Sequence, residues 1–243
     1  MNLIIIQTRN GSRRLSNKSV LSIGGQPTIL HVVNRLKNLN NLRIIVATSF
    51  SQQDDSICNL CQLNNIDYFR GDPLNVFSRF KEIIKKKMPK YVVRITGDCP
   101  LIYSQIIPEM LSIIEENIEI DYISNTLKRT FPHGHDIEIF KSQKFLDKKE
   151  PSEYDQEHVT PFFYKSEIYR LYSYENKIDL SGYRITLDLL SDYILLDKII
   201  YKYIRSGNNK SVFDIISPQE IVNIIKNDTE IFHLHEKLEK LKS

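Results

Sequence analysis

The chain has 243 residues, 41% hydrophobic and 26% charged, with a formal net charge of +3. Those values describe a globular chain with room for one large domain or two small ones, and the interleaved charges exclude a general nucleic-acid surface. No window approaches the ~20 apolar residues of a membrane span. The apolar start lacks a basic leader, so no secretory signal is expected, and three cysteines offer no disulfide framework; a reducing cytoplasm is the expected setting.

Strand and helix signals alternate through the first half. Leu3–Gln7 has the unbroken apolar character of a buried strand, and Thr28–Leu39 carries apolar residues at helical spacing. A strand at Arg43–Thr48, a helix at Gln52–Leu63 and a short strand at Ile66–Phe69 follow. Leu74–Lys87 reads as a helix whose basic end (Lys85, Lys86, Lys87) suits the helix dipole. Tyr91–Ile95 is a strand, Gln105–Asn117 a helix and Tyr122–Ser124 a strand. The second half is less regular. Strands are expected at Ile137–Phe140, Ile168–Ser173 and Arg184–Leu187. Helices are expected at Ser142–Asp147, Glu153–Lys165, Asp192–Tyr203, Pro218–Lys226 and Glu230–Lys240. This order predicts an α/β fold with a mostly parallel central sheet covered by helices and right-handed crossovers. The simplest partition is one domain over 1–243 with an inserted β/helical arm at about 125–175.

The most informative stretch follows the first strand. Gly11, Ser12 and Ser16 lie among Arg9, Arg13, Arg14 and Lys18. Glycine lets backbone approach an anion, hydroxyls donate hydrogen bonds, and the cations neutralise charge, so this loop suits a polyphosphate. It opens at the carboxyl end of a strand, where open α/β sheets place ligands. It matches neither G-x-x-x-x-G-K-[ST] nor G-x-G-x-x-G.

Three aspartates also end strands: Asp72, Asp98 and Asp188. Asp98 lies in Thr-Gly-Asp-Cys-Pro, where Gly97 and Pro100 shape a tight turn. Two such carboxylates at one sheet edge form a hard-oxygen site for Mg²⁺, which keeps its remaining positions for water and substrate phosphates. The simpler reading of a strand-end Asp is a helix cap or turn, and Asp72 before Pro73 fits that reading best. Cys58 and Cys61 have C-x-x-C spacing but no second pair, and read as packed helix residues. Cys99 has no base beside it in sequence. His133 and His135 would share a face if extended, as a metal pair, or would contact a sugar hydroxyl or carboxylate from a loop. His158 reads as a capping, packing or pocket residue, and His233 and His235 as surface residues.

Together these pieces resemble the cytidylyltransferase family that includes spore-coat polysaccharide biosynthesis proteins and, more distantly, the CMP-Kdo and CMP-sialate synthetases. The resemblance rests on an ordered set of stretches over nearly the whole chain: residues 5–18, Val-Ala-Thr-Ser (46–49), Phe-Arg-Gly (69–71), Val-Val-Arg-Ile-Thr-Gly-Asp-Cys-Pro-Leu-Ile (92–102), Asp-Tyr-Ile-Ser-Asn-Thr (121–126), Gly-His-Asp-Ile-Glu-Ile-Phe (134–140), Glu-His-Val-Thr-Pro (157–161) and Arg-Ile-Thr-Leu-Asp (184–188). It implies a glycosyltransferase-A-like nucleotidyltransferase fold and a homodimer. It implies transfer of CMP from CTP to an acidic sugar, with release of pyrophosphate, in cell-surface polysaccharide or glycan biosynthesis. By the same resemblance the triphosphate falls on Arg9, Gly11, Ser12, Arg14 and Lys18, with Gly97 beside it. Mg²⁺ falls on Asp98 and Asp188; with Arg9 and Lys18 these are the expected catalytic groups. Thr48, Arg70 and Gly71 fall at the base and ribose. Asn125, His135, Asp136 and His158 fall on the sugar side.

The chain departs from the family pattern at Thr8, Ser16 and His135, and Leu189-Leu190-Ser191-Asp192 replaces Thr-Pro-Glu-Asp after Asp188. His135 adds a titratable group to the expected sugar pocket. Two alternatives stand beside this reading: a glycosyltransferase using a nucleotide sugar, and a non-catalytic nucleotide-sugar-binding protein. The basic loop favours a free triphosphate over the first, and the acidic pair argues against the second.

Overall fold

In the computed structural model, residues 1–11 and 14–240 are described. Strand β1 (Asn2–Gln7) buries Leu3, Ile4, Ile5 and Ile6 completely. Its side chains alternate between faces: Ile4 and Ile6 join one hydrophobic cluster, Leu3 and Ile5 another. A strand covered on both faces needs an unbroken apolar run, which is why this segment shows no polar alternation.

The chain then makes a small hairpin, β2 (Ser22–Ile23) with β3 (Gln26–Pro27), and enters α1 (Thr28–Leu36). Strand β4 (Leu42–Ser49) leads through a 3-10 turn at Gln52–Asp54 into α2 (Asp55–Leu63). Next come β5 (Tyr68–Gly71), α3 (Val76–Lys87) and β6 (Tyr91–Thr96). A 3-10 turn at Ser104–Ile106, α4 (Ile107–Glu116) and β7 (Tyr122–Ser124) follow. Then come β8 (Glu138–Lys141), α5 (Ser142–Leu146), α6 (Glu153–His158), α7 (Pro161–Tyr164) and β9 (Leu171–Ser173). Helices α8 (Leu190–Arg205), α9 (Pro218–Asn227) and α10 (Thr229–Lys240) end the chain.

The seven-stranded sheet runs β5-β4-β1-β6-β8-β7-β9. Strands β5, β4, β1 and β6 run parallel to one another; β8 is antiparallel to both β6 and β7, and β9 is parallel to β7. Residues 125–175, expected as an inserted arm, thus supply β8 and β9 to the central sheet. Helices α1, α2 and α4 bury their apolar faces on one side of the sheet, while α3, α5 and α7 cover the other. A third cluster packs α8, α9 and α10 onto Ile23, Leu101, Ile185 and Leu187. Cys58 and Cys61 are buried, and Cys61 lies in the first cluster.

Two expected elements differ in kind, while others differ only at their ends, such as β9, which is confined to Leu171–Ser173 of the expected Ile168–Ser173. The helix over Glu153–Lys165 divides into α6 and α7 at Val159, whose φ is +74°. Pro161 has no N–H to continue the first helix, and it opens α7 at the first helical position, where none is needed. The strand at Arg184–Leu187 is instead an extended strap with a lone bridge between His133 and Arg184. Its partners are loops: Ile185 N donates to His133 O at 2.7 Å, and Leu187 N to Asp98 O at 2.8 Å. No helix among the described residues is long and apolar enough to cross a membrane.

Candidate active site

Parallel β1 and β6 end side by side, with Gln7 paired to Thr96, so the segments leaving both strands open at the same sheet edge. Gly97 N donates to Gln7 O at 2.8 Å. A Cβ on Gly97 would lie 2.5 Å from Thr8 Oγ1, so glycine permits this close approach. Beyond Thr8 the basic loop folds back on itself. Thr8 Oγ1 and Ser19 Oγ share a hydrogen bond at 2.6 Å, and Asn17 N donates to Asn10 O at 3.2 Å. Asn10 anchors the loop to the 3-10 turn after β4, its N–H donating to Asp54 Oδ1 at 2.7 Å and its Nδ2 to Gln53 O at 2.8 Å.

This fold-back carries Lys18 to the aspartates. Its Nζ donates to Asp98 Oδ2 at 2.6 Å and to Asp188 Oδ1 at 2.8 Å. Asp98 and Asp188 are far apart in sequence, but the strap fixes them together: the Asp98 carbonyl accepts from Leu187 N and from Thr186 Oγ1 (3.2 Å). Gly134, at φ +109°, lets the 133–135 loop press against that strap; a Cβ there would lie 2.8 Å from the Ile185 backbone. Arg14 Nη2 lies 3.6 Å from Asp188 Oδ1, and Arg184 Nη2 donates to Asp188 Oδ2 at 2.9 Å.

Burial alone would push the Lys18 ammonium toward its neutral form, but the two carboxylates override that and raise its pKa. Burial likewise works against the Asp188 charge, yet Lys18, Arg184 and Arg14 hold its carboxyl below the ordinary carboxylate value.

A cleft of about 800 Å³ lies over this edge, with Arg9, Gly11, Arg14 and Lys18 on its rim. Gly97, Asp98 and His158 also line it. His158 stands beside Tyr154 with ring centroids 4.3 Å apart. Arg9 Nη1 donates to Pro73 O at 3.0 Å, and its Nη2 lies 3.8 Å from Glu157 on the α6 wall. Ser12 lies outside the described residues.

Other expected site residues stand apart from the cleft. Thr48 is fully buried. Gly71 is buried beside Arg79. The Arg70 side chain donates to Ser49 O (2.8 Å) and Ser51 O (2.9 Å) and pairs with Asp55 (2.7 Å). Asn125 works as a backbone clasp, donating to His135 O at 2.7 Å and accepting from Ile137 N at 2.9 Å. His135 is fully buried; its Nδ1 accepts from Tyr103 N at 3.1 Å, and burial drives its pKa down to about 3. It is therefore a neutral core histidine. Asp136 pairs bidentately with Arg129 at 2.6 and 3.0 Å. Asp72 accepts from Leu74 N and Asn75 N, at 2.7 and 2.8 Å, as a turn-forming aspartate does.

Three residues escape the sequence reading. Arg79 is fully buried in the cleft wall, holding Asp72 O (2.8 Å) and Pro73 O (3.1 Å), and burial lowers its pKa to about 10. Its signal in the sequence is a cation on the apolar stripe Val76, Phe80, Ile83. Arg184 and Asp192 support Asp188 from behind. Their signal is the i,i+4 spacing of Arg184, Asp188 and Asp192, but part of that run is not helical, so helical spacing alone does not give the contact.

Two hard carboxylates that already converge on one cationic centre fit a small divalent ion. Among the described residues no group of three or more His, Cys, Asp or Glu forms a fuller metal cage. That donor set matches Mg²⁺, which takes one or two protein carboxylates and completes its shell with water and phosphate.

A sequence model of the cytidylyltransferases matches residues 3–231. The chain belongs to the cytidylyltransferase family. It is 26% identical over 242 residues to the spore coat polysaccharide biosynthesis protein SpsF of Bacillus subtilis, covering 94% of this chain and 95% of that one. It is 30% identical over 134 residues to a 3-deoxy-manno-octulosonate cytidylyltransferase of Agrobacterium fabrum, covering 53% of this chain and 51% of the relative. The solved structure of a cytidylyltransferase from Leptospira borgpetersenii superposes with a TM-score of 0.86 at 31% identity, covering 95% of each chain. This cytidylyltransferase therefore shares both family and whole-chain architecture with that protein.

Proposed function

We propose that this cytidylyltransferase moves the CMP group of CTP onto an acidic sugar, with release of pyrophosphate, for cell-surface glycan synthesis. The observation that carries the reading is Lys18 Nζ held between Asp98 and Asp188, at 2.6 and 2.8 Å, on the edge of a cleft rimmed by Arg9 and Arg14. Cations and acidic metal ligands meet at one point, as a metal–triphosphate requires. The relative in Agrobacterium fabrum, named for transfer to 3-deoxy-manno-octulosonate, supports an acidic sugar as acceptor.

A sugar hydroxyl attacks the α-phosphorus; the new O–P bond forms as the bond to the bridging oxygen of pyrophosphate breaks, and the hydroxyl proton passes to solvent water. Asp98 and Asp188 would hold Mg²⁺, which would supply charge neutralisation at the phosphates. Arg9, Arg14 and Lys18 hold the β- and γ-phosphates, and their fixed positive charge stabilises the leaving pyrophosphate. Lys18 exchanges its carboxylate partners for phosphate oxygens, so its charge stays paired throughout. His158 and the α6 wall bound the acceptor side.

Pyrophosphate release measured with four nucleoside triphosphates against acidic sugars and sugar phosphates tests the reading. CTP with an acidic sugar should give release in the wild type and none in Asp98→Asn, with the circular dichroism of that variant unchanged. Equal release by Asp98→Asn would overturn the assignment.

A further inference from the structure

Asp188 divides its partners by oxygen atom. Its Oδ1 meets two cations that line the cleft, Lys18 at 2.8 Å and Arg14 at 3.6 Å. Its Oδ2 accepts from Arg184 Nη2 at 2.9 Å. Arg184 is itself clamped: Nε donates to Asp192 Oδ1 at 3.0 Å, and Nη2 also reaches Asp192 Oδ2 at 3.1 Å. Asp192 is only 1% exposed and accepts from the backbone N–H of Asp188 (2.8 Å) and Leu189 (2.9 Å). This pair, with Asp192 buried and Arg184 partly so, therefore fixes both the peptide and one carboxylate oxygen of Asp188. Such a planar guanidinium fork sets orientation in a way that a point charge does not.

We infer that Arg184, held by Asp192, is a positioning residue that makes Asp188 present a single oxygen to the metal and so favours Mg²⁺ over larger divalent ions. This rests on the metal reading given under Proposed function. The physical argument is one of geometry. Mg²⁺ demands near-ideal octahedral coordination at short distance, which a carboxylate bound through one oxygen satisfies, whereas larger ions accept bidentate carboxylates. With Oδ2 occupied by Arg184, the bidentate mode is closed. Releasing Oδ2 opens it and lets the carboxylate rotate.

Manganese binding read by electron paramagnetic resonance, with α,β-methylene CTP and no acceptor, tests this without turnover. In Arg184→Gln, the Mg²⁺ concentration needed to displace Mn²⁺ should rise several-fold relative to wild type, beyond any loss of affinity common to both ions (roughly 10–100-fold for lost outer-sphere support). A merely structural role weakens both ions together and leaves the displacement ratio unchanged; that result overturns the inference. Arg184→Lys keeps a cation beside the buried Asp192 but lacks the fork, and serves if the Gln variant does not fold. A ratio moved the same way supports the inference, and a wild-type ratio overturns it. Asp188→Asn is the control for the underlying reading. If it binds Mn²⁺ as wild type does, the metal assignment fails; if it loses Mn²⁺ while Arg184→Gln keeps the wild-type ratio, only the role of Arg184 fails.

Discussion

Lys18 is held between two carboxylates, those of Asp98 and Asp188. Its side chain is only 15% exposed, so its charge is costly to leave without a negative partner. The charge pattern explains why: Asp98 and Asp188 together would repel each other at one sheet edge without a cation between them. Replacing Lys18 by Met should therefore do two separable things. Turnover with CTP should fall about 10²–10³-fold, the usual loss for one preorganised donor to a developing negative charge. In the same variant, Mn²⁺ without nucleotide should bind more tightly than in wild type, because no ammonium competes for the carboxylates. Steady-state kinetics and Mn²⁺ titration check the two effects; a variant with wild-type values in both would remove Lys18 from the account.

The site depends on elements that carry no chemistry themselves. The strap 184–188 has no ladder of its own; it is fixed by two loops, through His133 O to Ile185 N and Asp98 O to Leu187 N. Gly134 is the point of closest approach, with a positive φ and no room for a Cβ. Gly134→Ala should lower stability by about 1–3 kcal/mol, the cost of forcing a side chain into such backbone, with urea denaturation as the measure. It should also reduce kcat, since the Ile185 backbone must shift and Asp188 follows it. Unchanged stability and kcat in that variant would show that the strap yields without moving the carboxylate. Sequence patterning read these elements unevenly. Buried parallel strands have a strong signature, and β1, β4 and β6 lie within one or two residues of the expected bounds. The strap has the composition of a strand, but composition cannot reveal that its neighbours are turns. The break at Val159 was legible in Pro161 alone, and the helical spacing on either side outweighed it.

At the scale of the molecule, a mostly parallel sheet gathers the ends of β1 and β6, and three C-terminal helices clamp the strap against them. The alternation of elements made the α/β fold legible. The meeting of Lys18, Asp98 and Asp188 was legible only as ligand chemistry in search of a common edge, since no local rule joins residues 18 and 188. What the sequence hid is burial. His135 and Asn125 have the side chains of a sugar pocket, yet one is a neutral core histidine and the other a backbone clasp. Arg79 looks like one more helix cation, yet it is fully buried in the cleft wall. Whether a polar residue faces core or cleft is decided by packing among segments distant in the chain. The most direct test of the whole arrangement is a crystal grown with Mn²⁺ and α,β-methylene CTP, measured for anomalous scattering. The account predicts a manganese peak between Asp98 and Asp188, with Lys18 turned onto the phosphates. A peak elsewhere, with Lys18 still bridging both carboxylates, would contradict it.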